Sequence, residues 1–319
     1  MSDISILGRI GYDLYAEEHS IPLNEVRKFS RYLGGSSANM AVALRRLGLD
    51  VGVIGCLGID QLSRYLLSYL EKEGVETCYV RLKAGYLPSL CLTEVSPPDR
   101  FPQVFYRERA ADTQVEVQDE DRQFITETKL FITNGTSLCA SPSRESTYRA
   151  MEWAREAGVR VAFDVDYRAV SWTNPAEAAL YARLALPLID IFIANPQEMC
   201  LFSETEDLNQ AIDRIRGQGV PMVVAKLGSE GTRVVTSKDS LFLPSYPVKT
   251  LSTIGAGDAF ASGFLYALVK GMPLPEALLY GNAAAAIVVS RLMCSDAMPT
   301  LCEVQNLISR HEEIQVENA

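Results

Sequence analysis

The sequence predicts an α/β fold in which a small β element interrupts a larger body of alternating strands and helices. Short apolar runs alternate with amphipathic runs that end at glycine, a pattern typical of strand–helix–strand units. The chain has 319 residues, of which 48% are hydrophobic, enough for one large α/β domain or two smaller ones. The alternation breaks over residues 87–109, where the pattern is that of a hairpin.

The first half of the chain contains two predicted strand–helix units and most of the small β element. Strands are predicted over residues 4–10 and 51–57, and helices over 34–48 and 62–73. Residues 14–33 do not suit a helix and have partial strand character at 14–16 and 26–33. Together with the hairpin strands at 87–95 and 103–109, they predict a small sheet away from the main body.

The second half resumes the alternation. Strands are predicted over residues 130–134, 159–165, 189–194 and 222–227, and helices over 144–157, 176–187 and 207–217. Residues 234–236 and 240–243 predict a hairpin, and two further helices follow, one after residue 257 and one over 275–291. The whole chain, residues 1–319, is thus interpreted as one α/β domain with inserted segments near 14–33 and 87–110.

Charge and composition exclude several classes of function. The formal net charge of −10 argues against nucleic acid or an anionic membrane as main partner. Seven scattered cysteines without a CxxC pair are typical of reduced thiols in a cytoplasmic protein, and the N-terminus does not resemble a signal peptide. The two histidines, His19 and His311, lie too far apart to favour a Ser-His-Asp triad or a histidine zinc site.

The stretch TIGAGDAFASGF, residues 253–264, is the strongest candidate for chemistry. Gly255, Ala256 and Gly257 precede Asp258 at the start of an apolar helix. A helix N-terminus binds anions through its free N–H groups, and a nearby carboxylate can take a proton from a hydroxyl. The alternative is a glycine-rich turn in which Asp258 is only a helix cap.

On the substrate side, Asp13 follows the first strand, where ligands bind in open α/β sheets. Gly34, Gly35 and Asn39 open the first helix and could approach a polyol, although plain capping explains them equally. Arg107 and Arg109 share one face of a strand, so they could bind a carboxylate or could form a solvated edge.

On the opposite side, polar residues follow the later strands. Asn195 and Glu198 could orient phosphate and a hydrated magnesium ion, although an Asn–Pro turn with a helix-starting acid is the alternative. Lys226 ends a strand, and Gly228 and Gly231 flank a loop that could pass close to a nucleotide. Small residues around Asn282 allow close approach of a planar ring or of another helix. No GxxxxGK[ST] occurs, which excludes a P-loop enzyme.

These motifs, in this order, resemble the ribokinase-like carbohydrate kinases of the PfkB family. The resemblance rests on Asp13, GGSSAN (34–39), NPQE (195–198), KLGSEG (226–231) and TIGAGDAFASGF (253–264), and it covers nearly the whole chain. The segments YRERAAD (106–112), SPSRES (141–146), FDVDYR (163–168) and SRLMCSDAMPT (290–300) are similar to one branch, the 5-dehydro-2-deoxygluconokinases of inositol breakdown.

The resemblance implies a Rossmann-like parallel sheet between two helical layers, with the inserted strands as a lid. It implies that Asp258 is the general base, that the N–H groups of Gly255, Ala256 and Gly257 bind the transferred phosphate, and that ATP and Mg²⁺ are required. Asp13, Gly34, Gly35 and Asn39 would bind the sugar, Arg107 its acid end and Arg168 the substrate or phosphate. Asn195, Lys226, Gly228, Gly231 and Asn282 would lie near the nucleotide, and Glu198 would hold magnesium through water.

Two alternatives to a 5-dehydro-2-deoxy-D-gluconate kinase stay open. One is a 2-keto-3-deoxygluconate kinase or another ketose kinase of the family, and the other is a catalytically silent sugar- or nucleotide-binding regulator. Small-molecule partners and a homodimer formed through the lid are implied. Many relatives carry an acid before GAGD where this chain has Ser252, which puts activation by a monovalent cation in doubt.

Overall fold

The computed structural model describes residues 2–97 and 100–317, with side chains through Arg310. The strands in this part of the chain are β1 (Ile4–Leu7), β2 (Gly11–Ala16), β3 (Phe29–Gly34), β4 (Val51–Gly58), β5 (Val80–Lys83), β6 (Ser89–Thr93), β7 (Gln103–Tyr106), β8 (Leu130–Asn134), β9 (Arg160–Asp164), β10 (Ile191–Ala194), β11 (Met222–Lys226), β12 (Thr232–Val235) and β13 (Ser240–Leu243).

The helices are α1 (Ser36–Arg46), α2 (Gln61–Lys72), α3 (Asp119–Thr126), α4 (Ser143–Glu156), α5 (Pro175–Ala185), α6 (Pro196–Ser203), α7 (Leu208–Gly217), α8 (Ala256–Val269), α9 (Leu274–Val289) and α10 (Leu301–Glu317). Among the described residues, no helix combines the length and the apolar character that crossing a bilayer requires.

The larger sheet has nine strands in the order β13-β12-β11-β10-β9-β8-β1-β4-β5. Side chains alternate across it, so Ile4 and Ile6 enter a core under α1, α8 and α9, while Leu7 enters a second core under α4 and α5. The α/β class with a sheet between helices is confirmed. The sheet is not wholly parallel, because the predicted hairpin, β12 and β13, adds two antiparallel strands at one edge.

The smaller sheet has the order β3-β2-β6-β7 and takes its strands from the two inserted segments. Its apolar cluster of Tyr15, Ala16 and Val95 packs against Phe101 from its own connection. The same cluster reaches three side chains near the ends of α8 and α9, namely Ile254, Leu292 and Met293. The second sheet is therefore packed onto the loops that border the N-terminus of α8.

The structure differs from the sequence-based boundaries where local geometry intervenes. The strand predicted over residues 4–10 ends at Leu7, because Gly8 passes so close to α1 that a Cβ there would lie 2.0 Å from Ser37 Oγ. The strand predicted over 103–109 ends at Tyr106, and Arg109 adopts a left-handed φ of 54°. Helices α3 and α10 and strand β5 were not predicted, since they are short or mostly polar on their outer faces.

Helices α8 and α9 pack closely because glycines replace larger side chains at their crossing. A Cβ on Gly263 of α8 would lie 2.5 Å from the carbonyl oxygen of Tyr280, and one on Gly281 of α9 would lie 2.7 Å from the ring of Phe260. Helix α8 therefore cannot shift without opening this contact.

We expect Gly263→Ala to lower the free energy of unfolding by about 1–3 kcal/mol, because the added methyl group must push the two helix backbones apart. The measurement is urea-induced unfolding followed by circular dichroism. Gly217→Ala is the matched control, since nothing lies within 4 Å of a Cβ at that helical position. It should be neutral or stabilise by about 0.4–1 kcal/mol. Equal effects of the two substitutions would contradict the close-packing argument.

Candidate active site

A cleft of about 1000 Å³ opens at the carboxyl edge of the large sheet. It is bordered by the ends of β9, β10 and β11 and by the first turns of α6 and α8, with Gln103 of the second sheet on the opposite wall. Most of the residues singled out from the sequence lie along it, namely Arg168, Asn195, Glu198, Lys226, Gly228, Gly231, Gly255, Ala256, Gly257, Asp258 and Asn282.

Asp258 lies in the first turn of α8, at the bottom of this cleft. Its Oδ1 accepts a hydrogen bond from Ser36 Oγ at 2.7 Å, and its Oδ2 accepts one from Asn39 Nδ2 at 2.8 Å. Burial, helped by the negative charge of Asp166, raises the pKa of Asp258 to about 7, although both hydrogen bonds lower it. A carboxylate with this pKa can accept a proton near neutral pH.

The turn before α8 has the geometry of an anion site, but one of its three predicted N–H donors is already hydrogen-bonded. Gly255 caps the helix with a left-handed φ of 80°, which a side chain would strain. Gly257 gives access to the turn, because a Cβ there would lie 3.2 Å from Lys226 Nζ. The N–H of Ala256 is already engaged, since it donates to the carbonyl of Thr253 at 3.3 Å.

Lys226 brings a positive charge directly beneath this turn. Its ammonium donates to both carboxylate oxygens of Asp164, at 2.7 and 3.0 Å. Burial lowers the pKa of Lys226, but the carboxylates of Asp164 and Glu198 outweigh that effect and hold the pKa above its usual value. Lys226 is therefore charged at neutral pH and held beside the N-terminus of α8.

A second ion pair flanks Asp258 on the other side. Arg168 donates to Asp166 Oδ1 at 3.0 Å, and its side chain is 44% exposed to the cleft. Asp166 raises the pKa of Arg168, with smaller contributions from Asp258 and Glu198. Asp166 adopts a left-handed φ of 37°, and its buried Oδ2 has no hydrogen-bond partner within the described part of the chain.

Asp164 and Asp166 were not predicted as site residues. The sequence does contain a signal for these two residues. In FDVDYR, two carboxylates two residues apart come at the end of a buried strand and precede an arginine. Of this segment only Arg168 is a predicted site residue, and its partner Asp166 is an addition that the structure makes.

Asn195 and Glu198 form a reciprocal cap on α6. The N–H of Glu198 donates to Asn195 Oδ1, and the N–H of Asn195 donates to Glu198 Oε2, both at 2.9 Å. The N–H of Tyr167 donates to Glu198 Oε1, also at 2.9 Å. Burial still raises the pKa of Glu198 above its usual value. The alternative reading as a helix start thus describes the local geometry, and the carboxylate also borders the cleft.

Three further predicted residues shape the wall beyond the anion turn. Gly228 has a φ of 64° and open space around it, whereas a Cβ on Gly231 would lie 2.1 Å from the carbonyl oxygen of Leu243. The amide of Asn282 accepts from Thr232 Oγ1 at 2.8 Å and donates to the carbonyl of Pro244 at 3.0 Å. Asn282 therefore ties α9 to the β12–β13 hairpin.

Asp13 lies on β2 beside the first turn of α1 and is 5% exposed. Gly34 lacks the Cβ that would lie 2.1 Å from the carboxyl group of Asp13, and Gly35 has a φ of 93° where a Cβ would lie 2.4 Å from the carbonyl oxygen of Arg9. Burial raises the pKa of Asp13 to about 6, opposed by the charges of Arg9 and Arg168. Asp13 Oδ1 and Asn39 Oδ1 are buried without a hydrogen-bond partner among the described residues.

The structure does not bring Arg107 to the cleft. Its side chain is 9% exposed and donates twice to Asp112 Oδ2, at 2.6 and 2.8 Å. It also donates to Ser171 Oγ at 3.0 Å and to the carbonyl of Thr136 at 2.8 Å. These bonds involve Nε and both terminal nitrogens, so the guanidinium is held by Asp112 and its neighbours, and only Nη1, which contacts Ser171, lies outside the ion pair.

Comparison with known proteins gives the same family throughout. Residues 1–301 match the family described as pfkB family carbohydrate kinase. A 5-dehydro-2-deoxygluconokinase of Geobacillus kaustophilus is 36% identical over 97% of this chain and 94% of its own length. A fructokinase with bound ATP from Xylella fastidiosa is 25% identical, with a TM-score of 0.88, over 98% of this chain and 100% of its own. A ribokinase II of E. coli, solved with ATP and Mg²⁺, is 22% identical, with a TM-score of 0.88, over 98% and 100% of the two chains.

The raised pKa of Asp258 predicts a pH-dependent stability difference. An unfolded aspartate titrates near about 4, so between that pH and about 7 the folded state binds more protons and the charge increasingly destabilises it. Relative to wild type, Asp258→Asn should gain stability as pH rises from about 4 to about 7 and level off above. The gain is at most about 4 kcal/mol, the free energy that corresponds to the difference between the folded and unfolded pKa values. The carboxylate is partly open to the cleft, and contact with water makes the gain smaller than this limit.

The measurement is the free energy of unfolding of both proteins at several pH values. Any constant difference reflects the hydrogen bonds that an amide cannot reproduce. A difference that does not change between pH 4 and pH 8 would contradict the raised pKa.

Proposed function

This chain belongs to the pfkB family of carbohydrate kinases, and we propose that it transfers the γ-phosphate of ATP to the terminal hydroxyl of a keto sugar acid. Family membership makes it a phosphotransferase that acts on a sugar. The candidate substrate is 5-dehydro-2-deoxy-D-gluconate, after the activity named for relatives about 35% identical to this chain. The proposal therefore includes a role in inositol breakdown and a cytoplasmic location.

The observation that carries the proposal is the position of Asp258. Its carboxylate is shared between the late α8 turn and the early α1 turn, within hydrogen-bond distance of Ser36 and Asn39. We assign it the role of general base for the attacking hydroxyl. The N-terminus of α8 and the cations Lys226 and Arg168 lie around the same point, where their N–H groups could contact the oxygens of a phosphoryl group in transfer.

ATP with Mg²⁺ fits the charges along the cleft. Four carboxylates border it (Asp164, Asp166, Glu198 and Asp258) against two cations, Arg168 and Lys226. Across the described residues, no group of three or more His, Cys, Asp or Glu side chains could hold a metal alone. This suits a hydrated magnesium ion that takes most of its ligands from phosphate and water. When bound, the ion would neutralise phosphate charge, with Glu198 and Asp166 nearest to its water shell.

The competing substrates are 2-keto-3-deoxygluconate and neutral ketoses. The other alternative is a silent regulator, which would phosphorylate no substrate. Asp13 and Asn39 suit hydroxyl groups of any of these substrates, so they do not separate the candidates. The intact pairing of Asp258 with Ser36 and Asn39 favours turnover over silence. The name of the Geobacillus kaustophilus relative favours the 5-dehydro acid.

We expect the wild-type protein with MgATP to consume ATP fastest on 5-dehydro-2-deoxy-D-gluconate, tested beside 2-keto-3-deoxygluconate, fructose and ribose. Asp258→Asn should lower kcat by about a thousandfold, because the amide cannot accept the hydroxyl proton. Coupled detection of ADP gives both quantities. Binding of an ATP analogue, measured by calorimetry, is the control that the variant keeps its nucleotide site.

Two outcomes would reject the proposal in different ways. A variant within tenfold of wild type would reject Asp258 as the base. A wild-type protein that binds ATP and sugar but turns over none of the panel would favour the silent regulator.

We also propose a homodimer formed through the outer face of the second sheet. Val104 and Tyr106 of β7 are 45% and 62% exposed and lie on the face opposite to the cleft-lining Gln103. They pair with Leu92 and Leu90 of β6, which are partly buried, so the apolar surface continues onto a second strand. Such a patch on a soluble sheet is typical of an interface.

A charge on this face should separate the dimer. We expect Tyr106→Glu to convert a dimer of wild type into a monomer, because burying an unpaired carboxylate is costly. Light scattering after size exclusion measures the mass. Phe242→Glu is the matched control, since Phe242 is an aromatic side chain of similar exposure, 55%, on the far edge of the large sheet. A monomeric wild type, or dissociation by both substitutions alike, would contradict the proposed interface.

A further inference from the structure

Arg9 is a deeply buried arginine that forms no direct ion pair among the described residues, although its charge partly offsets the burial that raises the pKa of the nearby Asp13. Arg9 is 6% exposed, in the short connection between β1 and β2. Its Nη1 donates to Ser89 Oγ at 3.4 Å, and its Cζ lies 5.8 Å from the centroid of the Phe105 ring. Among the described residues, no carboxylate forms an ion pair with it, although burying an unpaired guanidinium is costly. A bound anion would supply the partner that the buried guanidinium lacks.

The register of the second sheet shows which way Arg9 faces. Ser89, Cys91 and Thr93 share one face of β6, and Phe105 and Gln103 stand opposite Cys91 and Thr93 on that same face. Gln103 lines the cleft. The two neighbours of the guanidinium, Ser89 and Phe105, therefore lie on the cleft-facing side of the sheet.

The same face carries Asp13. Gly11 pairs with Ser89, and Asp13 pairs with Cys91, so both β2 residues lie on the side of Arg9 and Phe105. Gly11 is required there, because a Cβ would lie 2.6 Å from Arg9 Nη1. Asp13 Oδ1, on this face, also has no hydrogen-bond donor among the described residues. A ligand with one carboxylate and several hydroxyl groups would satisfy both deficits.

We propose that Arg9 binds the carboxylate of the substrate and thereby selects sugar acids over neutral sugars. This inference rests on the proposed kinase function and names the residue that sets its substrate class. A planar guanidinium matches a carboxylate through two parallel hydrogen bonds. Arg107 and Arg168, the other candidates, already carry Asp112 and Asp166 as partners.

The positions of Arg9 and Asp258 suit the two ends of one sugar acid, the carboxylate and the terminal hydroxyl. The backbone of Arg9 lies against Gly35, and the next residue, Ser36, donates to Asp258. The side chain of Arg9 turns away from this point toward the second sheet. A sugar acid with its terminal hydroxyl at Asp258 and its acid end at Arg9 would bring its other hydroxyl groups toward Asp13 and Asn39.

The test is steady-state kinetics of Arg9→Gln on 5-dehydro-2-deoxy-D-gluconate and on a neutral ketose that wild type also phosphorylates. We expect KM for the acid to rise by about 10- to 100-fold, the usual weight of a charge-assisted hydrogen bond. The kcat for the acid and the KM for the neutral sugar should change by less than about threefold. Arg9→Lys keeps the charge without the planar fork, so it should give a smaller, still acid-selective, increase.

Several results would overturn the inference. Equal increases in KM for acid and neutral sugar would show that Arg9 only positions Asp13. An acid-selective loss in Arg107→Lys, with none in Arg9→Gln, would return the carboxylate to Arg107. If Arg9→Gln does not fold, as judged by its thermal midpoint, the Arg9→Lys result decides by the same criterion.

The proposed function has its own readout in these assays. A wild type that phosphorylates no sugar, with Asp258→Asn indistinguishable from it, rejects the kinase. A wild type that phosphorylates sugar acids while Arg9→Gln loses no selectivity rejects only the role of Arg9.

Discussion

The hydrogen bonds from Ser36 and Asn39 to Asp258 are the constraint on which the rest of the site depends. They join residues 222 and 219 positions apart, so they form only when both the first and the last strand–helix units have packed on the sheet. The adjacent Ser37 accepts a hydrogen bond from Asn134 at the end of β8, at 2.7 Å. The first turn of α1 is thereby fixed to the sheet on one side and to the carboxylate on the other, and such fixed donors stabilise a carboxylate that is largely withdrawn from water.

Electrostatics then determines what the cleft can accept. The two cations beside Asp258 are each held by a carboxylate that follows β9, Lys226 by Asp164 and Arg168 by Asp166. These pairs orient the cations but cancel much of their charge, and the remaining carboxylates leave an excess of negative charge. A free polyphosphate would meet repulsion here, whereas a magnesium–nucleotide complex would bring its own positive charge.

The sequence was sufficient for the alternation of strands and helices and for most cleft residues, because both leave local signals. Apolar period and glycine positions mark the elements, and residues at the carboxyl ends of parallel strands must meet at one edge. Pairings between distant side chains leave no such signal. Arg107 looked available because its partner Asp112 lies across a turn, and Arg9 looked unremarkable because its lack of a partner is a property of the folded environment. The antiparallel edge and the split after Leu7 likewise depend on tertiary contacts.

The segment just before α8 has a local hydrogen bond at Ser252, the position where the sequence was expected to depart from the family pattern, and the turn that begins α8 is kept. Ser252 is buried, and its hydroxyl accepts the N–H of Ile254 at 3.2 Å, so it stabilises the turn before α8. Ile254 packs against the apolar cluster of the second sheet, the same cluster that Phe101 and Leu292 contact. The anion-binding turn is thus joined to the second sheet by apolar contact. Since close-packed side chains shift together, a movement of the second sheet would be transmitted to the turn before α8 through this one cluster.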